Sequence, residues 1–167
     1  RAALVAPLGS GKTRLRLSVV AECTGRPEAQ VFVGRGDARR RDVAFQAVSD
    51  LLRSKVQTGD LSFAAPMQAR RAALHALVLQ AFEGDEERAR ECEVFLGALF
   101  GVEGVRSKAL EAARRDPQLM NDRLRMALLD YFRATSEQGP VFVFVEDLQW
   151  SDDASVALLQ ELLDELV

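Results

Sequence analysis

The sequence predicts an α/β fold in which helices flank a parallel sheet, and three observations lead to this prediction. Short apolar runs at residues 2–6, 30–33 and 141–145 have the length of buried strands. A helical pattern separates the first two runs, and this strand, helix, strand order is typical of a parallel sheet with a right-handed crossover. From about residue 43 to residue 135 the chain repeats a helical spacing of apolar residues. We therefore expect a long helical insertion before the third strand.

The first three elements follow one another closely. Residues 2–6 (AALVA) are bounded by Pro7 and Gly9, which predicts a short strand. Residues 12–23 have apolar side chains at helical spacing and end before Gly25 and Pro27, as helices commonly do. Residues 30–33 predict the second strand.

The insertion predicts several amphipathic helices. Three apolar faces have the spacing i, i+3, i+4, i+7 and i+8. They are Ala44, Ala47, Val48, Leu51 and Leu52 behind a predicted cap at Asp42; Leu74, Leu77, Val78, Ala81 and Phe82; and Leu124, Ala127, Leu128, Tyr131 and Phe132. Shorter helices are expected at residues 88–100 and 105–115.

The strongest strand signal lies near the end of the chain. Residues 141–145 (VFVFV) are wholly β-branched and aromatic, and they follow the turn signal Gly139-Pro140. A last helix is expected to begin near residues 151–153. Its predicted apolar stripe is Leu159, Leu162, Leu163, Leu166 and Val167.

Length and composition restrict the function classes. With 167 residues we expect one domain over residues 1–167, and because the chain begins without methionine and ends inside a helical pattern, we expect a domain truncated at both ends. A net charge of -3 does not favour nucleic-acid binding, and no apolar run is long enough to cross a membrane. Cys23 and Cys92 lack the close partners of a metal or redox site, so we expect buried free thiols in a cytoplasmic protein.

Residues 6–13 (APLGSGKT) match a phosphate-binding loop between a predicted strand and a predicted helix, with Ala6 in place of the usual first glycine. Gly9 and Gly11 can adopt backbone angles closed to other residues, so that N–H groups around Ser10 turn inward onto phosphate oxygens. This pattern predicts the core of a P-loop nucleotide-binding protein.

The residues that follow these glycines extend the predicted site. Lys12 supplies a positive charge for the β- and γ-phosphates of ATP, and the Thr13 hydroxyl is a hard oxygen ligand for Mg²⁺. Arg14 completes the predicted nucleotide-binding set.

Two adjacent acids, Glu146 and Asp147, directly follow the VFVFV strand. This is the Walker B arrangement, in which the first acid holds Mg²⁺ and the second polarises the attacking water. We therefore predict Glu146 as a metal ligand and Asp147 as the catalytic base. Many P-loop ATPases have Asp before Glu, and because the shorter Asp stands second here, slow hydrolysis is expected.

Residues 141–152 (VFVFVEDLQWSD) resemble the signature of the ATPase modules in signal-transduction ATPases with numerous domains, a group related to the AAA+ class. Residues 34–53 and 113–128 resemble more closely the ATPase module that follows the kinase domain in large bacterial, notably myxobacterial, serine/threonine protein kinases. The resemblance implies an ATP-driven switch linked in cis to a kinase, sensor or helical-repeat domain, with Lys12, Thr13, Glu146 and Asp147 as its functional positions. It leaves a homo-oligomer open.

Two residues of this signature have structural interpretations. Trp150 and Asp152 match its W-x-D positions, and we expect a packed ring and a helix cap. The family's core also has a strand between the two motif-bearing strands, which we do not find in this chain.

Three functions remain open at this point. The first is a regulatory switch that binds Mg²⁺ and ATP and hydrolyses ATP slowly. The second is a scaffold that holds nucleotide without turnover, which the reversed acid order permits. The third is a P-loop phosphotransferase acting on a small molecule, for which the insertion shows no acceptor-binding residues.

Overall fold

A computed structural model describes residues 11–56, 61, 64–102 and 107–165 of the protein. The predicted first strand at residues 2–6, and Gly9 and Ser10 of the phosphate loop, lie outside the described residues. The helices are α1 (Lys12–Thr24), α2 (Gln46–Arg53), α3 (Met67–Ala81), α4 (Glu86–Phe100), α5 (Lys108–Ala113), α6 (Pro117–Gln138) and α7 (Asp153–Glu165). The strands are β1 (Gln30–Arg35) and β2 (Val141–Glu146), and a 3-10 turn spans Leu148–Trp150.

The two strands are parallel neighbours, although more than a hundred residues separate them in the chain. Their register runs from Gln30 opposite Val141 to Arg35 opposite Glu146. Because parallel strands end at the same edge of a sheet, Glu146 at the end of β2 and Asp147 after it lie beside the end of β1. The predicted α/β fold, with a parallel sheet, flanking helices and a long helical insertion, is confirmed.

The core joins the sheet to the insertion. Phe32 of β1 is fully buried, and its ring meets those of Tyr131 and Phe132 on α6 edge-on, with centroids 6.4 and 5.2 Å away. Helices α3, α4 and α6 pack on one another, α5 packs on α6, and α2 packs on β1. The apolar faces predicted for α3 and α6 are buried throughout.

Helix α2 begins later than the sequence predicts. It starts at Gln46, and turns occupy the preceding residues, so Asp42 does not cap it. The residue before the helix is Phe45, whose φ of 60° is unusual for a residue with a side chain. The prediction of Asp42 was wrong because the cap comes from Asp152, which is distant in sequence.

Helix α7 presents a different face from the predicted one. Its buried residues are Ser155, Leu158 and Leu162, whereas Leu163 is 38% exposed and Leu159 is half-buried. Leu166 and Val167 lie outside the described residues. The rotation follows from Ser155, whose hydroxyl accepts a hydrogen bond from the Val48 N–H at 3.2 Å and so turns this side of α7 toward α2.

The thiols and the hydropathy of the chain were also predicted from the sequence. Cys23 and Cys92 are free and buried, as predicted. In the part of the chain that the structure describes, no helix has the length and apolar character needed to cross a membrane.

Candidate functional site

The described part of the phosphate loop is the start of α1. Gly11 precedes the helix with φ 84°, a left-handed conformation that residues with a Cβ rarely adopt. Glycine has no side chain to accept hydrogen bonds from the first-turn N–H groups, which lie at the positive end of the helix dipole. Lys12 is the first helical residue and is half-buried, and Thr13 and Arg14 follow it with exposed side chains.

The acid pair lies where the sheet edge turns into the next helix. Glu146 is the last residue of β2, and its carbonyl accepts a hydrogen bond from the Gly36 N–H at 2.9 Å. Asp147 leaves the strand with φ 52°, again a left-handed conformation. The change of direction between them points the two carboxylates to different neighbours.

Gly36 allows this turn to approach β1. A Cβ at Gly36 would lie 2.4 Å from the Asp147 carbonyl oxygen and 2.7 Å from the Ser151 nitrogen, both of which are backbone atoms. No flexible side chain could move aside to make room. Gly36 is therefore required by the close packing of its backbone against the turn at residues 147–151.

Each acid is paired with one arginine. Glu146 Oε1 lies 2.7 Å from Arg16 Nε on α1, and both side chains are mostly shielded, with 28% and 21% of their surface exposed. Asp147 Oδ2 accepts a hydrogen bond from Arg35 Nε at 2.8 Å, and Arg35 Nη2 lies 2.7 Å from the same oxygen. The hydrogen bond and the charge of Asp147 raise the pKa of the Arg35 guanidinium above its ordinary value.

These pairs relate the acids to α1. Arg16 is three residues beyond Thr13, and residues three apart on a helix are neighbours on its surface. The contact with Arg16 therefore brings the Glu146 carboxylate to α1, one turn after Thr13. Neither arginine contact was predicted; the position of Arg16 one turn after Thr13 was the available signal.

The donors at this edge suit a hard divalent cation that arrives with a nucleotide. Thr13 offers a hydroxyl and Glu146 a carboxylate, both oxygen ligands of the kind that Mg²⁺ prefers. No cluster of three or more His, Cys, Asp or Glu that could hold a metal occurs among the described residues. A metal bound here would thus take its other ligands from phosphate oxygens and water, as Mg²⁺ usually does.

Asp152 is a buried double cap. Its carboxylate accepts hydrogen bonds from the N–H groups of Phe45 at 2.8 Å and Ala47 at 3.2 Å, at the start of α2. It also accepts from the N–H of Ser155 at 2.8 Å and from its hydroxyl at 2.7 Å, at the start of α7. The predicted cap is confirmed, and it serves two helices rather than one.

Trp150 does not have the packed ring that its position in the sequence predicts. Its side chain is 45% exposed at the end of the 3-10 turn, and Leu148 beside it is 50% exposed. The N–H of Trp150 donates to the Asp147 carbonyl at 2.8 Å, so the backbone of this residue is held beside the acid pair. Its ring stays near the surface because the tight turn directs it away from the sheet.

A family model described as the AAA ATPase domain matches residues 2–166 of the chain. Comparison with curated proteins and with solved structures found no match. The family match includes the phosphate loop, the insertion and the acid pair in one continuous segment.

Proposed function

The chain belongs to the AAA ATPase domain family, and from this premise we propose that it binds ATP with Mg²⁺, hydrolyses ATP slowly and acts as a regulatory switch in a multidomain bacterial signalling protein. The observation that carries the proposal is the contact between Glu146 at the end of β2 and Arg16 on α1. It draws one carboxylate of the acid pair to the helix that begins with Lys12 and Thr13. This contact supports the proposal that phosphate-binding and metal-binding groups meet at one edge of the sheet.

Each proposed site residue has a specific role. The N–H groups of Gly9, Ser10 and Gly11 would bind phosphate oxygens, Lys12 would neutralise the β- and γ-phosphates, and Arg14 would add positive charge nearby. Bound Mg²⁺ supplies charge neutralisation on the phosphate oxygens.

The remaining roles belong to Thr13 and the two acids. The hydroxyl of Thr13 and the carboxylate of Glu146 would hold the metal, and the carboxylate of Asp147 would orient the attacking water and accept its proton.

Slow hydrolysis is expected for two reasons. Asp147 has one methylene fewer than the glutamate that many ATPases place second, and its carboxylate is already engaged by Arg35 at 2.7–2.8 Å. Turnover then requires Arg35 to release Asp147. A slow ATPase suits a switch whose bound state must last long enough to be read by a neighbouring domain.

The setting of the switch rests on the resemblance of residues 34–53 and 113–128 to modules tethered to bacterial kinases. We propose a single domain over residues 1–167, a cytoplasmic location, and a kinase, sensor or helical-repeat domain in cis as its partner. Loss of the γ-phosphate would change the arrangement of that partner.

Replacing Lys12 with alanine tests nucleotide binding. Lys12→Ala should weaken the affinity for a fluorescent ATP analogue by about ten- to a hundredfold, because a charge-assisted contact to phosphate is lost. Lys108→Ala is the matched control, since Lys108 also opens a helix but is exposed on α5. Equal affinities of the two variants would exclude the proposed phosphate site.

Replacing Asp147 with asparagine tests the base. Asp147→Asn should reduce phosphate release by a factor of about 100 or more while binding of the analogue is retained, because the amide cannot accept the proton. Asp153→Asn, at the exposed first position of α7, should leave the rate unchanged. A rate unaffected by Asp147→Asn would remove this residue from the chemistry.

The hydrogen-bonded pair of Arg35 and Asp147 also favours a second candidate, a scaffold that holds nucleotide without turnover. Phosphate release by the unmodified protein distinguishes the two functions. Release no faster than that of Lys12→Ala, combined with tight binding, would favour the scaffold.

A further inference from the structure

Arg16 occupies the carboxylate that the proposed function assigns to the metal. We infer that Arg16 is a positioning residue that holds Glu146 against α1 when no metal is bound and competes with Mg²⁺ for this carboxylate. The inference rests on the proposed function and adds to it a residue that controls how strongly the site depends on Mg²⁺.

The geometry places the guanidinium where it interferes with metal binding. Arg16 Nε lies 2.7 Å from Glu146 Oε1, and a Mg²⁺ ligand oxygen lies roughly 2.1 Å from its metal. A guanidinium and a divalent cation on one carboxylate repel each other. Arg16 therefore weakens the binding of a cation to this carboxylate, and a bound cation in turn weakens the attraction of Arg16 for it.

The contact between Arg16 and Glu146 differs from that between Arg35 and Asp147. The Arg16 Nε is buried but makes no hydrogen bond among the described residues, so its contact with Glu146 is an attraction of charges without favourable hydrogen-bond geometry. The pair of Arg35 and Asp147, in contrast, includes a hydrogen bond of 2.8 Å. Of the two acids, Glu146 is thus the one whose arginine contact includes no hydrogen bond from Nε.

The pair also explains how the acid is kept in place beforehand. Arg16 and Glu146 are both more than two-thirds shielded from solvent, and an unpaired carboxylate in such a position would be costly. The guanidinium compensates this charge until a metal replaces it. Arg16 therefore positions Glu146 beside α1 and at the same time lowers its apparent affinity for Mg²⁺.

The test is a Mg²⁺ titration of fluorescent ATP analogue binding. Arg16→Gln should lower the Mg²⁺ concentration at half-saturation by about two- to fivefold, the range expected for loss of a partly shielded ion pair. Affinity for the analogue without Mg²⁺ should be unchanged. Arg16→Met should behave like Arg16→Gln, Arg16→Lys should stay near the unmodified protein because it keeps the charge, and Arg26→Gln, an exposed arginine after α1, is the control.

Thermal unfolding separates this role from a merely structural one. Arg16→Gln should lower the unfolding temperature of the nucleotide-free protein, and the difference should largely disappear with Mg²⁺ and nucleotide bound, because the ion pair is then already broken in the unmodified protein. A purely structural residue would produce the same difference in both states.

Three results would overturn the inference. An unchanged or higher Mg²⁺ midpoint in Arg16→Gln and Arg16→Met would show that there is no competition. Weaker binding of the analogue without Mg²⁺ would mean that Arg16 contacts phosphate instead. If the unmodified protein binds no analogue with or without Mg²⁺, the proposed function itself fails, whereas normal binding with an unaltered midpoint removes only the role of Arg16.

Discussion

Helix α1 and the helical insertion are stabilised in different ways. In α6 one apolar face is buried, with Leu128 and Phe132 at 0% and 1% exposure. In α1 only Cys23 of its thirteen residues is buried, and Leu15 and Leu17 are 53% and 54% exposed. The insertion is thus stabilised mainly by apolar burial, whereas α1 buries little apolar surface and contacts the acid pair through the ion pair of Arg16 and Glu146. A region held by charges is the one that a charged ligand can rearrange.

The largest expected effect is on the free energy of unfolding, and it is tested by replacing one leucine in α6 and one in α1. Leu128→Ala should lower the free energy of unfolding by about 3–5 kcal/mol because it leaves a cavity in the core of the insertion. Leu15→Ala should change it by no more than about 0.5 kcal/mol because half of that side chain already faces solvent. Chemical denaturation of both variants measures the difference, and similar losses would refute the contrast.

Asp152 caps α2 in the insertion and α7 after β2, and its loss should have the second-largest effect. Asp152→Ala should cost about 2–4 kcal/mol, because it leaves donors at the starts of both α2 and α7 without acceptors. Asp153→Ala, at the exposed start of α7, should cost less than about 1 kcal/mol. Denaturation curves that show equal losses would indicate that the buried carboxylate has no special role.

High pH should weaken the insertion through a smaller, gradual effect. Burial raises the pKa of the Cys92 thiol well above its ordinary value of 9.0, and the thiol donates a hydrogen bond to the Ala127 carbonyl at 3.4 Å. The neutral thiol is favoured in the folded state, so its stabilisation is complete below pH 9 and is lost as the thiol of the unfolded chain ionises above that pH.

The decline should reach about 1.4 kcal/mol per pH unit for this group. Free energies of unfolding measured between pH 8 and pH 10.5 would show it, and Cys92→Ala should have a shallower slope. Cys23→Ala, on the mostly exposed helix α1, is the comparison variant. If both variants keep the slope of the unmodified protein, Cys92 does not titrate as proposed.

Much of the fold was predictable because its signals are local. The spacing of Leu74 to Phe82 and of Leu124 to Phe132 identified two buried helical faces, and VFVFV identified β2, since periodicity depends only on neighbouring residues. The start of α2 and the buried face of α7 were predicted wrongly. Both depend on Asp152 and Ser155, whose partners Phe45 and Val48 are more than a hundred residues away.

In the candidate site, the motif residues could be identified from the sequence, but their contacts could not. The motif residues Gly11, Lys12 and Thr13 and the acids Glu146 and Asp147 were identified from their order in the chain, and their roles remain predictions. The partners of the acids were not identified, because the sequence contains many arginines and no local pattern states which carboxylate each one meets. Trp150 was expected to be packed because aromatic rings usually are, whereas the turn directs it to the surface.

The sequence by itself determined the type and approximate extent of most described helices and strands, the family, and the candidate residues for binding phosphate and metal, because these depend on residue type and short-range spacing. Only the tertiary structure decided that β1 lies beside β2, that Asp152 caps two helices, and that Arg16 and Arg35 each pair with one of the two acids. These contacts join residues far apart in the chain, and they form only when the sheet and its helices have packed together.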